Sequence, residues 1–175
     1  MDCANLNGFN TTTTGCQIII GDGLRGTDDV EVPVKNGEYI EKAKIGRAIM
    51  DADVFISLRA TFKAMRRLAS AAPSRTFGMG CGSRAGKMEQ HSSGKCVVNE
   101  ELCRGCRKCA KECGSDAITY ENNKAVIHED LCKGCGRCIG ACSYDAIRNE
   151  QWDAGDLLDR KMAEYAQAVV QDRRA

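Results

Sequence analysis

The sequence predicts an α+β protein in which a small, internally repeated domain is joined to part of an α/β domain and to a C-terminal helix. Three observations predict this arrangement. Residues 1–58 alternate apolar runs with a helical pattern, a 29-residue repeat follows later in the chain, and the last residues carry an apolar stripe. The predicted boundaries are 1–94 for the partial α/β domain, 95–150 for the repeated domain and 151–175 for the helix.

The first 58 residues carry the α/β signal. Short apolar runs at 17–20 and 54–58 are typical of buried strands, and residues 30–34 alternate apolar with acidic side chains like an edge strand. Residues 38–51 have apolar side chains at intervals that fit a helix, namely Ile40, Ala43, Ile45, Ala48 and Ile49. Strand, helix and strand in this order predict a piece of a parallel sheet.

The C-terminal segment has helical spacing. Leu158, Met162, Tyr165 and Val169 fall on one stripe, at i, i+4, i+7 and i+11. A helix with one apolar stripe packs that stripe against a core, so we expect a packing element here.

Charge and cysteine content restrict the class of protein. The 25 basic and 24 acidic residues leave a net charge of +1, which disfavours a nucleic-acid or anionic-membrane partner. The N-terminus has neither the basic region nor the apolar core of a signal peptide, and no run approaches the ~18 apolar residues of a membrane span. We therefore expect a cytoplasmic protein, in which the 12 cysteines are reduced and those that are clustered bind metal.

Eight cysteines form the internal repeat. The first four are Cys103, Cys106, Cys109 and Cys113, and the same C-x2-C-x2-C-x3-C spacing recurs 29 residues later in Cys132, Cys135, Cys138 and Cys142. Three cysteines at this spacing let a tight loop surround one corner of an iron–sulfur cubane, with backbone N–H groups turned towards its sulfides. Zinc is the alternative metal, but structural zinc sites usually combine two separated C-x2-C pairs.

With these motifs, residues 96–149 resemble the bacterial ferredoxins that hold two [4Fe-4S] clusters. In that family the fourth cysteine of each motif binds the other cluster. The resemblance therefore implies one cluster on Cys103, Cys106, Cys109 and Cys142, and a second on Cys132, Cys135, Cys138 and Cys113. Proline usually follows the fourth cysteine in the family, whereas this chain has Gly114 and Ser143 there.

A wider resemblance takes in the flanking segments. GRAIMDADVFISL, GMGCGSRAGKMEQH, the two cysteine motifs and DRKMAEYA together resemble the DUF362 family of iron–sulfur proteins. Members of that family are usually longer, which implies that Met1 is an internal methionine or an artificial start. Residues 64–76, AMRRLASAAPSRT, do not fit. One choice of codons, read one base earlier, gives the family-like GHEATGFGGALKN, so we expect a compensated frameshift there.

Further candidates stand outside the repeat. An extra metal or redox site is one candidate, formed by Cys81, His91 and Cys96, and a flexible glycine-rich loop is the simpler interpretation. Lys87 is a candidate contact for an anion. The basic residues beside the motifs are expected to form a solvated face or to offset cluster charge; they are Arg104, Arg107, Lys108, Lys133 and Arg137.

Three functions fit these observations. The first is electron transfer to a redox partner protein or domain. The second is a reductase in which the clusters feed an active site in the α/β part, although residues 1–95 contain no recognisable catalytic site. The third is a metal site that only stabilises the fold.

Overall fold

The computed structural model describes residues 2–57, 75–92, 95–153 and 155–173. The helices are α1 (Asp2–Leu6), α2 (Thr11–Thr14), α3 (Arg47–Met50), α4 (Arg84–His91), α5 (Lys108–Glu112), α6 (Arg137–Ala141) and α7 (Gly155–Val170), with a π-helical turn at Arg75–Met79. The strands are β1 (Asp29–Pro33), β2 (Lys42–Gly46), β3 (Cys96–Val98), β4 (Ile118–Glu121), β5 (Lys124–Ile127) and β6 (Ile147–Asn149). Helices combined with small sheets make this an α+β structure, as predicted.

The N-terminal part differs from the predicted piece of parallel sheet. β1 confirms the strand expected at 30–34, but it pairs antiparallel with β2, and β2 and α3 lie where one helix was predicted over 38–51. Residues 17–20 and 54–57 form no strand, and Leu58 lies outside the described residues. The parallel sheet is therefore a wrong prediction for the described part of the chain, whose three sheets are antiparallel pairs.

The physical reason lies in the period of β2 and in the exposure of the apolar runs. Ala43 and Ile45 are fully buried and alternate with Lys42 and Lys44, which is the two-residue period of a strand. The supposed buried strands are not buried, since Ile19 is 70 % exposed and other apolar side chains of these runs are exposed as well. Apolar composition alone was therefore a poor guide in these segments.

The predicted C-terminal helix is confirmed as α7. Tyr165 and Val169 pack into one core with the β1–β2 hairpin and Cys81. The π-helical turn approaches α7 closely at Gly78, where a Cβ atom would lie 2.2 Å from the carbonyl oxygen of Met162. No described helix, α7 included, is long and apolar enough to cross a bilayer.

The repeated domain pairs its strands in the same way in both halves. β3 pairs with β6 and β4 with β5, so that each pair joins a strand preceding one cysteine motif to a strand following the other. Val98 lies opposite Ile147, and the residues at the equivalent positions, Ile127 and Ile118, also lie opposite each other. The described strands therefore follow a pseudo-two-fold arrangement with the 29-residue period of the sequence.

The segment with the expected frameshift is only partly described. Residues 64–74 lie outside the described residues, whereas Arg75 and Thr76 begin the π-helical turn. The frameshift stays a prediction, which resequencing of the source DNA tests. An intact reading frame in independent clones would contradict it.

Candidate metal centre

The eight cysteines of the repeat line two separate cavities. The first cavity is lined by Cys103, Cys106 and Cys109 of the first motif and by Cys142 of the second. The other cavity is lined by Cys132, Cys135 and Cys138 together with Cys113. The structure thus brings together the two crossed groups of four that the resemblance implied, while metal binding by them stays a prediction.

Two short helices produce this crossing. α5 separates Cys109 from Cys113, and α6 separates Cys138 from Cys142. Cys113 ends α5 in an extended backbone conformation (φ −74°, ψ 113°), and Cys142 ends α6 in nearly the same one (φ −82°, ψ 107°). Each fourth cysteine therefore leaves its own loop at the far end of a helical turn and faces the cavity of the other motif.

The backbone supports the sulfur atoms at equivalent positions. The N–H of Ala117 donates to Cys113 Sγ at 3.4 Å, and the N–H of Ala146 donates to Cys142 Sγ at 3.3 Å. Hydrogen bonds to sulfur stabilise the thiolate that a metal requires.

Left-handed backbone at Gly105 (φ +63°) and Gly134 (φ +73°) makes the tight turn of each loop. A Cβ at Gly105 would lie 2.3 Å from the carbonyl oxygen of Asn123, so only glycine fits there.

The first cavity has an aromatic neighbour that the second lacks. The hydroxyl of Tyr120 lies 3.0 Å from Cys109 Sγ, and the guanidinium of Arg107 lies 5.5 Å from the centre of the tyrosine ring. Partial burial, followed by the hydrogen bond to Cys109, raises the pKa of the Tyr120 phenol. When Cys109 is a thiolate, as a metal ligand must be, the phenol O–H is the donor of this hydrogen bond. The position equivalent to Tyr120 in the other half is Asn149, whose amide instead donates to Ser92.

The second cavity has a fifth cysteine. Cys96, in β3, lines it together with Cys138, whereas the equivalent position of the first cavity is Ala125. The proposed grouping of Cys96 with Cys81 and His91 does not occur in the described structure. Cys81 lies in the hairpin core, where burial raises its pKa to about 11, and the ring of His91 packs edge-on against Trp152 at 6.4 Å. Cys96 instead lies beside the cysteines of the second cavity. The only sign of this in the sequence is that Cys96 belongs to the segment just before the first motif.

The positions of the cysteines bear on the choice between zinc and a cluster. Within the described residues, no three Cys, His, Asp or Glu side chains are grouped as ligands of a single ion. A structural zinc ion needs four ligands within about 2.3 Å of one centre. A four-iron cubane binds each thiolate through a different iron, so its cysteines surround a volume instead of converging on a point. Binding of either kind of metal centre by these cysteines stays a prediction.

The basic residues beside the motifs are engaged with the rest of the protein. Lys133 lies 3.6 Å from the carboxylate of Asp29, and Lys108 donates to Ser143 at 3.2 Å. Arg137 pairs with Glu112 and also donates to the carbonyl oxygen of Arg25. Lys133 and Arg137 therefore connect the cysteine loops to the N-terminal part, and Lys108 connects one motif to the other.

The two positions that lack the usual proline also make contacts. A Cβ at Gly114 would lie 2.9 Å from a methyl carbon of Thr27, so the glycine lets the N-terminal part approach the end of the first motif. Ser143 accepts the hydrogen bond from Lys108. The departure from the ferredoxin pattern thus coincides with contacts made inside this chain.

Comparison with models of known protein families gives a match that covers nearly the whole chain. Residues 1–173 fit a family model described as a domain of unknown function, DUF362. No curated protein matches the chain.

Proposed function

Because the chain belongs to the DUF362 family, whose description names no function, we propose from its own cysteine cavities that it binds two [4Fe-4S] clusters and transfers electrons. The observation that carries this proposal is the crossed lining of the cavities. Each one combines three cysteines of one motif with the fourth cysteine of the other. Crossing holds the two centres close together, which favours electron exchange between them.

The charge of the repeated domain favours a dedicated partner over a diffusing carrier. Residues 96–149 contain eight basic and eight acidic side chains. A freely diffusing electron carrier gains from a strong net charge, which steers it to oppositely charged partners. A neutral domain is better suited to serve its own protein or one fixed partner.

Contacts between the cysteine loops and the N-terminal part support this view. The side chain of Arg84 donates through Nε to the carbonyl oxygen of Cys135 at 2.9 Å. Met88, also on α4, packs close to Gly136, where a Cβ would lie 3.1 Å from its terminal methyl. The loop of the second motif is therefore held by a helix outside the repeat.

Two other functions compete with this proposal. In a reductase, the same clusters would feed a substrate site elsewhere in the protein, and in a purely structural role they would hold the fold without changing charge. Reversible reduction separates electron transfer from the structural role, because a structural site gains nothing from a second oxidation state.

The test is anaerobic reconstitution of the full chain with iron and sulfide. We expect about eight iron and about eight acid-labile sulfide per chain, with visible absorption that bleaches on reduction and returns on oxidation. Cys3→Ser and Cys16→Ser are matched controls, because both cysteines are exposed and lie outside the cavities. A colourless protein that takes up zinc but no sulfide would refute the proposal, and a coloured protein that cannot be reduced reversibly would leave only the structural role.

A further inference from the structure

A basic cleft lies next to the two cysteine-bearing helices. It has a volume of about 840 Å³ and is bounded by residues 20–26, by α4 and by both α5 and α6. Sites for small molecules in proteins usually measure about 300–1,000 Å³. The cleft is therefore large enough for a ligand of metabolite size, and none of the cavity-lining cysteines of the repeat borders it.

Positive charge is concentrated in this cleft. Six cationic side chains line it, namely Arg25, Arg84, Lys87, Lys108, Lys111 and Arg137. Against them stand two carboxylates, Asp22 and Glu112, so the lining carries an excess of four positive charges. The whole chain carries only +1. A concave surface lined by one sign of charge focuses the field and raises the local concentration of counter-ions.

Most of these cations have neutral partners. Lys87 donates to the carbonyl oxygen of Gly82 at 2.7 Å, and in the part of the chain that the structure describes only Arg137 of the six forms an ion pair, with Glu112. Asp22, the other carboxylate, accepts the backbone N–H of Arg84 at the start of α4, so part of its charge is satisfied there. The carboxylates of the lining therefore leave most of its positive charge uncompensated.

The position of the cleft follows the pseudo-two-fold. Lys108 of α5 and Arg137 of α6 are 29 residues apart, and so are Lys111 and Gly140, which also line the cleft. Both helices thus present equivalent faces to the same space. The symmetry is broken at Gly140, where a Cβ would have no atom within 4 Å, so the missing side chain leaves the cleft open on that side.

From the volume, the uncompensated charge and the convergence of separate segments, we infer that this cleft binds a small molecule carrying two or more anionic groups, phosphate or carboxylate. Arginine and lysine together suit both groups, because the guanidinium binds their oxygens in pairs and the ammonium adds a point charge. The inference goes beyond electron transfer, since it assigns a ligand site that the cysteines do not form. It places the ligand against the two helices that end in the crossed cysteines.

The experiment measures binding to the whole 175-residue chain after anaerobic reconstitution, by calorimetric titration with pyrophosphate and, separately, with citrate. Acetate at the same ionic strength is the control for general salt effects. Saturable binding of either probe, but not of acetate, is expected. Binding of pyrophosphate alone assigns the site to phosphate-bearing ligands, and binding of citrate alone assigns it to carboxylate-bearing ones.

Variants at Gly140, where the cleft is open, and at Lys111 test where the ligand binds. Gly140→Glu fills the space with a negative charge and should weaken binding by about tenfold or more, whereas Gly140→Ala should bind within about twofold of wild type. Lys111→Glu changes an exposed helix position and should weaken binding similarly. It keeps the test valid if the Gly140→Glu protein fails to fold. Absence of saturable binding of both probes overturns the inference, as does wild-type binding by folded Gly140→Glu and Lys111→Glu proteins.

Cluster content, measured on the same samples, separates this inference from the proposed function. A protein that holds both clusters but binds neither probe refutes the ligand site alone. A protein that binds a probe without assembling clusters refutes the proposed function and leaves the ligand site standing.

Discussion

Replacing Cys113 with alanine should damage the centre formed by the second motif and leave the first one whole. Cys113 is one of four motif cysteines lining the second cavity and does not line the first. Its loss removes one thiolate from the proposed second cluster, and the iron for which that thiolate is the only protein ligand is the one most easily lost. The iron content should therefore fall from about eight to about seven per chain, with sulfide unchanged.

Double variants turn this into a test of which cysteines share a centre. Cys106→Ala combined with Cys113→Ala removes one thiolate from each cavity, and we expect about six iron in two three-iron clusters. Cys106→Ala combined with Cys142→Ala removes two thiolates from the same cavity, and we expect about four iron in one intact cluster. Both proteins lack two cysteines, so each is the control for the other.

The assay is iron and sulfide analysis of anaerobically reconstituted protein, with electron paramagnetic resonance to count three-iron clusters. The reasoning is refuted if the two double variants exchange their results. One intact cluster in the Cys106→Ala/Cys113→Ala protein would mean that each motif closes on itself. The two centres would then lie further apart, and the case for rapid exchange between them would weaken.

Three further outcomes are expected. Tyr120→Phe should lower the reduction potential of the first centre by roughly 40 mV in voltammetry, because a hydrogen-bond donor to sulfur is lost. Tyr144→Phe is the control and should change that potential much less. Equal shifts of the potential in the two variants would contradict this reasoning. Gly105→Ala should destabilise the protein by about 2 kcal/mol or more in denaturant titration, whereas Gly140→Ala should stabilise it by about 0.5–1 kcal/mol. Tyr165→Phe should lower the free energy of unfolding by about 1–3 kcal/mol, because it removes a fully buried hydroxyl together with its two hydrogen bonds. An unchanged unfolding midpoint would show that those hydrogen bonds contribute nothing.

The sequence predicted the grouping of the cysteines better than it predicted the N-terminal part. Ligand spacing is a local property, and one helical turn between Cys109 and Cys113 largely determines where the fourth sulfur lies. Because the cysteine spacing recurs after 29 residues, the same reasoning applies to the second half of the repeat.

Residues 1–57 gave no such local constraint. Whether an apolar run becomes a buried strand depends on a neighbouring strand, which the run itself does not encode. Ile45 illustrates the difficulty, since its spacing from Ile40 and Ile49 fitted a helix while its alternation with lysines fitted a strand. The basic cleft was harder still, because its cations come from four segments that only the folded chain brings together.

The two halves of the repeated domain differ in the residues beside their cysteines, and this difference bears on the direction of the proposed electron flow. Two identical centres would hold an electron equally well, so neither would serve as the entrance or the exit. Here Cys109 has a phenol hydroxyl against its sulfur, and the second cavity is lined by the additional thiol of Cys96. If the cavities hold the proposed clusters, the two clusters would differ in how strongly they hold an added electron, and the duplicated, nearly symmetric domain would have an upstream and a downstream end.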